Sequence, residues 1–227
     1  MDSCVYITLP VLDESENIEA LLCCLRVQEY STFKIVVCVN QYDGWWDNPE
    51  KKPICIDNQR SIELIKSENS LDIHVIDRSS RGKGWPDKKG GVGWARKTIM
   101  DYVSNKASDN DIIVSIDADT YYPPDYIQKL VDYFKTNKMI SGISIPYYHR
   151  LAGDVTDRLI LRYELYMRFY LLNMFRINNP YCFTALGSAM AFPVWAYKKA
   201  GGLTPVPAGE DFYFLQKLVK TGIIGLW

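Results

Sequence analysis

Short, largely apolar segments alternate with helical patterns along the first half of this chain, and that alternation constrains the fold more than any other feature. The segments Val5 to Val11, 35–39, 73–76 and Ile112 to Ile116 have the length of strands. Strands that are buried on both faces give such runs, and a helix between two of them supplies the crossover that parallel pairing needs. The sequence therefore predicts an α/β fold, a mostly parallel sheet flanked by helices on both faces.

Helical patterns separate these segments. Asp13 has the position of an N-cap for the first helix, with Glu16 three residues later at the spacing of a capping box. Further helices are predicted over 57–67, from Val92 to Val103, and from Pro123 onward. Ligands of such sheets bind outside the carboxyl ends of the strands, so the residues that follow each strand are candidate site residues.

The pattern changes after about residue 145. Residues 155–175 predict one long helix whose Leu, Tyr, Phe and Met residues are interrupted by charges, which excludes a simple transmembrane span. Packing against the domain is the favoured interpretation of this helix, and an amphipathic helix at a membrane interface is the alternative. A strand within 185–192, a turn at Gly201-Gly202 and a last helix over 210–220 follow.

Length, charge and cysteine usage exclude several classes. The chain has 227 residues, which suits one globular domain, and its formal net charge of −1 gives no reason to expect a nucleic-acid partner. Six scattered cysteines form no CxxC pair, which argues against a zinc site and a disulfide framework. The N-terminus lacks the basic and apolar regions of a secretory signal. A cytoplasmic protein is therefore expected.

Two carboxylates follow the fourth predicted strand. Asp117 and Asp119 are one residue apart where the strand gives way to a turn, so both can face one site. Magnesium or manganese held by one or two carboxylates and by substrate phosphates is the expected use, since the metal neutralises charge on a leaving pyrophosphate. The alternative is that either residue caps a turn or the next helix. The buried strand that precedes them favours the metal-and-phosphate interpretation.

A glycine-rich segment precedes the third predicted helix. Gly91 and Gly93 lie near its N-terminus, where backbone N–H groups can approach a phosphate, but they do not complete a GxGxxG motif. Arg96 suits a bidentate contact with a phosphate, and an intradomain ion pair is its alternative role. Dinucleotide binding is thereby disfavoured, whereas a phosphate contact remains open.

Three segments together resemble family 2 glycosyltransferases, which have the GT-A fold. Residues 7–18 resemble the opening strand and helix of that family, and Ser115 to Asp119 resembles its DxD signature. Gly187 to Asp211, with a Gly-Gly turn before a Glu-Asp pair, is similar to its acceptor-side segment. The resemblance spans nearly the whole chain. It implies a single GT-A domain over 1–227 with a mixed, mostly parallel sheet.

That domain would comprise a nucleotide-binding half over 1–120 and an acceptor-side half over 121–227. The resemblance implies that Pro10, Asp13 and Glu14 contact the nucleoside from the end of the first strand. Asp13 stands where many members have Asn, and capping is its alternative role. Asn40 and Asp43 follow the second strand, where such enzymes often touch the base. A structural role at a loop tip is an equally favoured interpretation for this pair.

The resemblance also implies roles for the remaining acids and for Arg96. Arg96 would contact the donor, Asp117 would bond the ribose or assist the metal, and Asp119 would coordinate the metal. Glu210 and Asp211 open the last predicted helix, whose dipole favours ionised carboxylates. By resemblance Asp211 is the first candidate for the base that deprotonates the acceptor, with Glu210 second. Complementing the helix dipole is the alternative for both.

The implied reaction transfers a sugar from a UDP- or GDP-linked donor to a hydroxyl of a saccharide or lipid-linked acceptor, with Mn²⁺ or Mg²⁺ and with inversion. A nucleotidyltransferase that makes sugar nucleotides is one alternative. The acidic residues 13–16 stand where such an enzyme usually has a basic, glycine-rich loop. A non-catalytic GT-A module that binds a ligand or partner is the other.

One motif of the family is absent from this sequence. Many processive members carry Gln-x-x-Arg-Trp after the Glu-Asp helix, and no such motif precedes Trp227. The chain ends at Trp227, three residues after the apolar pair Ile223-Ile224, which suggests a C-terminal truncation. Processivity and peripheral association with the inner face of a membrane are therefore left open.

Overall fold

The four apolar segments of the first half form neighbouring parallel strands in the computed structural model, which describes residues 3–206 and 208–226. Alternate residues of each strand face opposite sides of the sheet. Ile112 and Val114, for example, join one buried cluster, whereas Ile113 joins the other. Both faces are thus apolar, as the unbroken runs predict. The strands are β1 (Val5–Val11), β2 (Phe33–Asn40), β3 (Ile73–Arg78) and β4 (Ile112–Ser115).

In the part of the chain that the structure describes, three further strands extend the sheet beyond β4. They are β5 (Ile140–Ser144), β6 (Met190–Pro193) and β7 (Ile223–Leu226), and the strand order is β3-β2-β1-β4-β6-β5-β7. β6 lies antiparallel between β4 and β5, whereas β7 pairs in parallel with β5. The predicted fold class, a mixed and mostly parallel sheet flanked by helices, is confirmed.

Among the described residues, seven α-helices connect or cover these strands. One buried cluster packs side chains of α1, α2 and α4 against the sheet, and the second packs side chains of α3, α6 and α7 against the other face. A short 3₁₀ helix follows β2 at Asp43–Asp47. The α-helices are α1 (Ser15–Arg26), α2 (Lys52–Ser67), α3 (Val92–Ser104), α4 (Tyr126–Thr136), α5 (Asp157–Arg176), α6 (Val194–Lys199) and α7 (Glu210–Val219).

The capping box predicted at Asp13 is wrong. Asp13 has a φ of 60° and lies outside α1, whose N-cap residue is Glu14 without a side-chain cap. The start of α1 is instead held by α2, because Asp57 accepts a hydrogen bond of 3.0 Å from the Ser15 amide. The Asp13 amide donates to Asn58 Oδ1 at 3.0 Å. A tertiary contact thus replaces the local cap.

Three short elements of the second half, β5, α6 and β7, were not predicted. β5 reads Ile-Ser-Gly-Ile-Ser and lacks an apolar run. Its buried Ser141 and Ser144 are satisfied by hydrogen bonds to the carbonyls of Leu218 and Thr184. β6 occupies only the end of the strand predicted within 185–192. Trp227, at which a truncation was expected, lies outside the described residues.

The long helix α5 does not pack into the domain as favoured. Of its 20 residues, all of them described, Glu164 alone is buried. No helix within the described ranges is long and apolar enough to cross a membrane. α5 is therefore a surface element.

Candidate functional site

The carboxyl ends of β1, β2 and β4 meet at one edge of the sheet and form a small cleft of about 180 Å³. β1 lies between β2 and β4 in parallel register, so the residues that follow all three strands share this edge. The cleft is lined by Pro10, Val11, Leu12, Glu14, Asn40, Val92, Asp117 and Ala118. Four of the predicted site residues, Pro10, Glu14, Asn40 and Asp117, are thereby brought together.

A larger cleft of about 620 Å³ lies on the other side of Asp117, which lines both. Its walls come from residues 119–129, from 145–150 and from 186–189. We call it the tyrosine cleft because of the side chains that line it, Tyr121, Tyr122, Tyr126, Tyr147 and Tyr148. Asp119 also lines it. No local sequence pattern indicates this cleft, since its walls are far apart along the chain.

A buried arginine connects three parts of the site. Arg96 on α3 donates from Nη1 to Glu210 Oε1 at 2.6 Å and from Nη2 to Asp117 Oδ1 at 2.8 Å. The side chains of Arg96 and Glu210 are only 6% and 4% exposed, whereas that of Asp117 is 37% exposed. The start of α7 is therefore fixed to the end of β4. Arg96 has the intradomain ion-pair role and presents little surface to a ligand.

Two glycines allow this arrangement. A Cβ built on Gly187 would lie 2.4–2.5 Å from the guanidinium atoms of Arg96. A Cβ on Gly93 would lie 3.4–3.5 Å from the side chain of Glu210 and 3.2 Å from the carbonyl oxygen of Val206. Gly93, predicted to approach a phosphate, thus lies against the start of α7. Sequence reasoning missed the role of Gly187, because nothing local to it points to α3.

The carboxylates at the shared edge repel one another. Burial raises the pKa of Glu14; a hydrogen bond from Asn17 opposes this, and the negative charges of Asp119, Asp117 and Asp13 raise the pKa further. Asp119 is exposed, and its carboxylate accepts a hydrogen bond only from Thr120 among the described residues. A cation bound here would relieve the repulsion.

The donor set fits a metal ion that is shared with a ligand. Among the described residues, no group of three or more His, Cys, Asp and Glu side chains could hold a metal ion by itself. Asp119 is available, and one oxygen of Asp117 is engaged by Arg96. Magnesium and manganese are often held by one or two carboxylates with phosphate oxygens completing the shell. These two residues fit that mode.

Asn40 and Asp43 have structural partners. Asn40 is buried, donates from Nδ2 to the Val11 carbonyl at 3.0 Å and accepts from Trp85 Nε1 at 3.2 Å. Asp43 Oδ1 accepts from the amides of Gly82 and Gly84 at 2.7 and 3.3 Å. Asp43 therefore orders the loop after β3 and lines neither cleft. Asn40 forms a wall of the small cleft.

The two acids at the start of α7 have different surroundings. Glu210 is buried against Arg96, whereas Asp211 is partly exposed and, within the described part of the chain, accepts only from the amide of its neighbour Phe212, at 2.7 Å. Gly209, with a φ of 77°, is the residue before the helix. Asp211 is thus the freer carboxylate. Neither acid lines either of the two clefts.

Comparison with known proteins gives a family and a fold. The family described as glycosyl transferase family 2 matches residues 57–195, whereas no curated protein matches the chain. S. aureus TarS in complex with UDP-GlcNAc is similar in structure, with a TM-score of 0.64 and 16% identity over 98% of this chain and 55% of that chain. The complex of TarS with UDP gives a TM-score of 0.63 and 13% identity over 98% and 57%.

A mannosyltransferase structure has the same fold. The mannosyltransferase PcManGT from Pyrobaculum calidifontis, in complex with GDP-Man and Mn²⁺, gives a TM-score of 0.60 and 14% identity. The match covers 98% of this chain and 54% of that one. The present chain therefore spans slightly more than half the length of these structures, and it has the GT-A fold that its motifs imply.

Proposed function

Since this chain belongs to glycosyl transferase family 2, we propose that it transfers a sugar from a nucleotide-diphosphate sugar to an acceptor hydroxyl. The observation that carries the proposal is the Arg96 bridge, which joins Asp117 at the end of β4 to Glu210 at the start of α7. Donor-side and acceptor-side carboxylates thereby share one edge of the sheet. The complexes of similar structures with UDP-GlcNAc, UDP and GDP-Man support a sugar nucleotide as donor.

The small cleft takes the nucleoside in this proposal. Pro10 and Asn40 form walls against which a base or ribose can pack, and Asp117 can accept from a ribose hydroxyl. Val92 at the start of α3 also lines the cleft. Because the first amides of a helix lack partners within it, they favour a phosphate there. The diphosphate then runs from the small cleft towards Asp119.

Asp119 holds the metal ion, with Asp117 as a second ligand or as the ribose contact. A bound Mn²⁺ or Mg²⁺ supplies charge neutralisation for the departing diphosphate. Asp119 suits this role because it is exposed and lacks a cationic partner among the described residues. Glu14 adds negative charge to the same edge. Arg96 orients Asp117 and does not contact the donor itself.

Asp211 acts as the general base. It takes the proton from the acceptor hydroxyl while that oxygen bonds to the anomeric carbon, and the bond from that carbon to the diphosphate oxygen breaks. Attack opposite the leaving group inverts the configuration. Asp211 lies in the first turn of α7, at the positive end of the helix dipole. Glu210, paired with Arg96, positions the start of the helix.

The tyrosine cleft takes the part of the acceptor that lies beyond the reacting hydroxyl. It adjoins Asp119, and its aromatic lining suits the apolar faces of a saccharide. Lys129 and Arg150 add cationic groups to the same walls, and His149 adds an imidazole ring. Lys129 pairs with Asp125, and His149 Nδ1 lies 2.8 Å from Glu164 Oε1. A saccharide or a lipid-linked saccharide is the acceptor class that this lining supports.

Calorimetric titration with UDP and with GDP, each with and without Mn²⁺, tests the proposal. We expect one nucleotide to bind the wild type in a metal-dependent way. In Asp119→Ala the affinity for that nucleotide should fall at least tenfold, which is about 1.4 kcal/mol of binding free energy. Asp132→Ala, an exposed aspartate on α4 outside both clefts, is the matched control and should bind normally. Equal binding by Asp119→Ala and the wild type would contradict the metal role. Release of pyrophosphate from a nucleoside triphosphate would instead support the nucleotidyltransferase alternative.

A further inference from the structure

The outward side of α5 exposes large apolar side chains. Leu159, Leu165, Tyr166 and Phe169 are 65%, 66%, 64% and 61% exposed. Leu172 is also exposed and continues this surface along the helix. Isolated exposed apolar residues are ordinary, but a contiguous patch of this kind marks a surface that meets a partner or a membrane.

The opposite side of α5 is anchored to the domain. Apart from Asn173, the less exposed residues recur every three or four positions, which places them on one face of the helix: Asp157, Ile160, Glu164, Met167, Leu171 and Met174. Glu164 is buried there, accepts from the His149 amide at 2.5 Å and pairs with Arg168. The Arg168 guanidinium also donates to the Tyr147 carbonyl at 3.1 Å. The apolar patch is therefore the side of α5 that faces away from the domain.

The outward side is also cationic. Arg158, Arg162 and Arg176 are exposed and form no ion pair with any described residue. The two carboxylates of α5 lie on the anchored side, where Asp157 accepts from the amides of Ala152 and Gly153. Apolar and cationic side chains thus alternate on this surface without an acid among them.

We propose that the outward side of α5 docks on an anionic lipid bilayer. Leu, Phe and Tyr side chains insert into the boundary between headgroups and acyl chains when such a helix lies in the plane of the interface. Arginines on the same side then meet lipid phosphates. The unpaired Arg158, Arg162 and Arg176 match that charge, and the absence of acids on this side removes the repulsion that would oppose it.

A second copy of the chain fits this surface less well. A two-fold contact between two α5 helices would set the arginines of one copy against those of the other, because the same patch is used on both sides. The anionic bilayer has no such conflict. The apolar surface also continues before α5, where Tyr148, Leu151 and Val155 are exposed. Tyr148 lines the tyrosine cleft, so docking would hold that cleft beside the membrane.

Co-sedimentation of the full chain with phosphatidylglycerol vesicles and with phosphatidylcholine vesicles tests the proposal. We expect binding to the anionic vesicles that weakens with salt, and weak binding to the neutral ones. Each arginine near an anionic surface contributes about fivefold, so replacing Arg158, Arg162 and Arg176 by Gln should lower binding on the order of a hundredfold. The double variant Leu165→Glu and Phe169→Glu should abolish it.

The matched control lies on α2. Ile56 is 59% exposed and Arg60 is exposed on the same helix, so Ile56→Glu with Arg60→Gln makes the same kinds of change elsewhere. This variant should bind the vesicles like the wild type. Absence of vesicle binding, equal binding to both vesicle types, or equal loss in the control would overturn the proposal. So would a dimer, in sedimentation velocity, that Phe169→Glu dissociates. Nucleotide affinity should stay unchanged in the α5 variants, so this test is independent of the proposed reaction.

Discussion

At the scale of single residues, burial and partners separate side chains that look alike in the sequence. Glu210 and Asp211 are neighbours at one helix start, yet Glu210 is buried against Arg96 and Asp211 is partly exposed. A base must reach a proton on a substrate, which a carboxylate held by a buried guanidinium does poorly. The structure therefore favours Asp211, in line with the preference that the family resemblance implies.

The first prediction concerns Asp211. Asp211→Asn keeps the shape of the side chain but removes its proton-accepting charge, so turnover should fall by about 10²- to 10⁴-fold. Nucleotide affinity should change less than twofold, because Asp211 lines neither cleft. Release of nucleoside diphosphate from a sugar nucleotide, in the presence of cell-envelope acceptors, measures turnover. Asp132→Asn is the control, and a parallel loss of nucleotide affinity in Asp211→Asn would argue against a base.

The second prediction concerns Gly187. Its Cβ would approach the guanidinium of Arg96 to 2.4–2.5 Å, and that group is held on two sides by carboxylates. Gly187→Ala should therefore lower the free energy of unfolding by about 1–3 kcal/mol. Denaturant titration measures this change. Gly44→Ala, whose Cβ would meet nothing closer than 3.9 Å, should be nearly neutral; equal effects of the two substitutions would refute the steric cause.

At the scale of elements, α5 shows that a helix can form where its sequence predicts it and still pack differently from what its composition indicates. The helix was predicted from its composition, and its boundaries agree closely with 155–175. Packing was favoured because Leu, Tyr, Phe and Met usually face a core. The anchored side, however, is a narrow stripe centred on Glu164. The apolar residues elsewhere on the helix remain exposed.

The third prediction concerns this anchor and its pH dependence. Burial alone would raise the pKa of Glu164, but hydrogen bonds from His149 and Arg168 hold the pKa at about 2, below the ordinary 4.5. A carboxyl whose pKa is depressed by folding stabilises the native state above its unfolded pKa and loses that contribution as the pH falls towards its folded pKa. The contribution of Glu164 should therefore be complete above about pH 5 and should decline as the pH falls from there towards 2.

Denaturant unfolding of the wild type and Glu164→Gln at pH 7, 5 and 3.5 checks this sign. At pH 7 the free energy of unfolding of the variant should be lower than that of the wild type by about 1–3 kcal/mol, since a buried charge-assisted network is broken. This difference in free energy of unfolding should be smaller at pH 3.5. Glu63→Gln, an exposed glutamate on α2, serves as control and should show little difference at any pH. A difference between the wild type and Glu164→Gln that grows towards pH 3.5 would contradict the predicted pH dependence.

At the scale of the whole molecule, the first half of the sheet was easier to predict than the second. β1, β2 and β4 are long or fully buried runs whose pattern is visible locally. β5, β6 and β7 are four or five residues long, and β6 enters the sheet between β4 and β5 although it follows β5 in the chain. Such an insertion depends on which surfaces meet after collapse. A local pattern does not encode it.

The candidate site also has a part that the sequence predicts and a part that it does not. Pro10, Glu14 and Asp117 could be placed at one edge from sequence, because the carboxyl ends of neighbouring parallel strands meet there. Asp43 and Arg96 were candidates for donor contacts as well, but the structure gives them partners within the domain. An ion pair between Arg96 and Glu210, 114 residues apart, leaves no signature in either segment.

The sequence by itself determined the α/β class, the strand ends that carry Asp117 and Asp119, and the helix that begins with Glu210 and Asp211. These follow from local periodicity, since strands and helices differ in the spacing of their apolar residues. The tertiary structure alone decided that Arg96 joins Asp117 to Glu210, that Gly187 lies against that guanidinium, and that α5 turns its apolar side outward. Each depends on contacts between distant segments, whose energies are set only when the chain has folded.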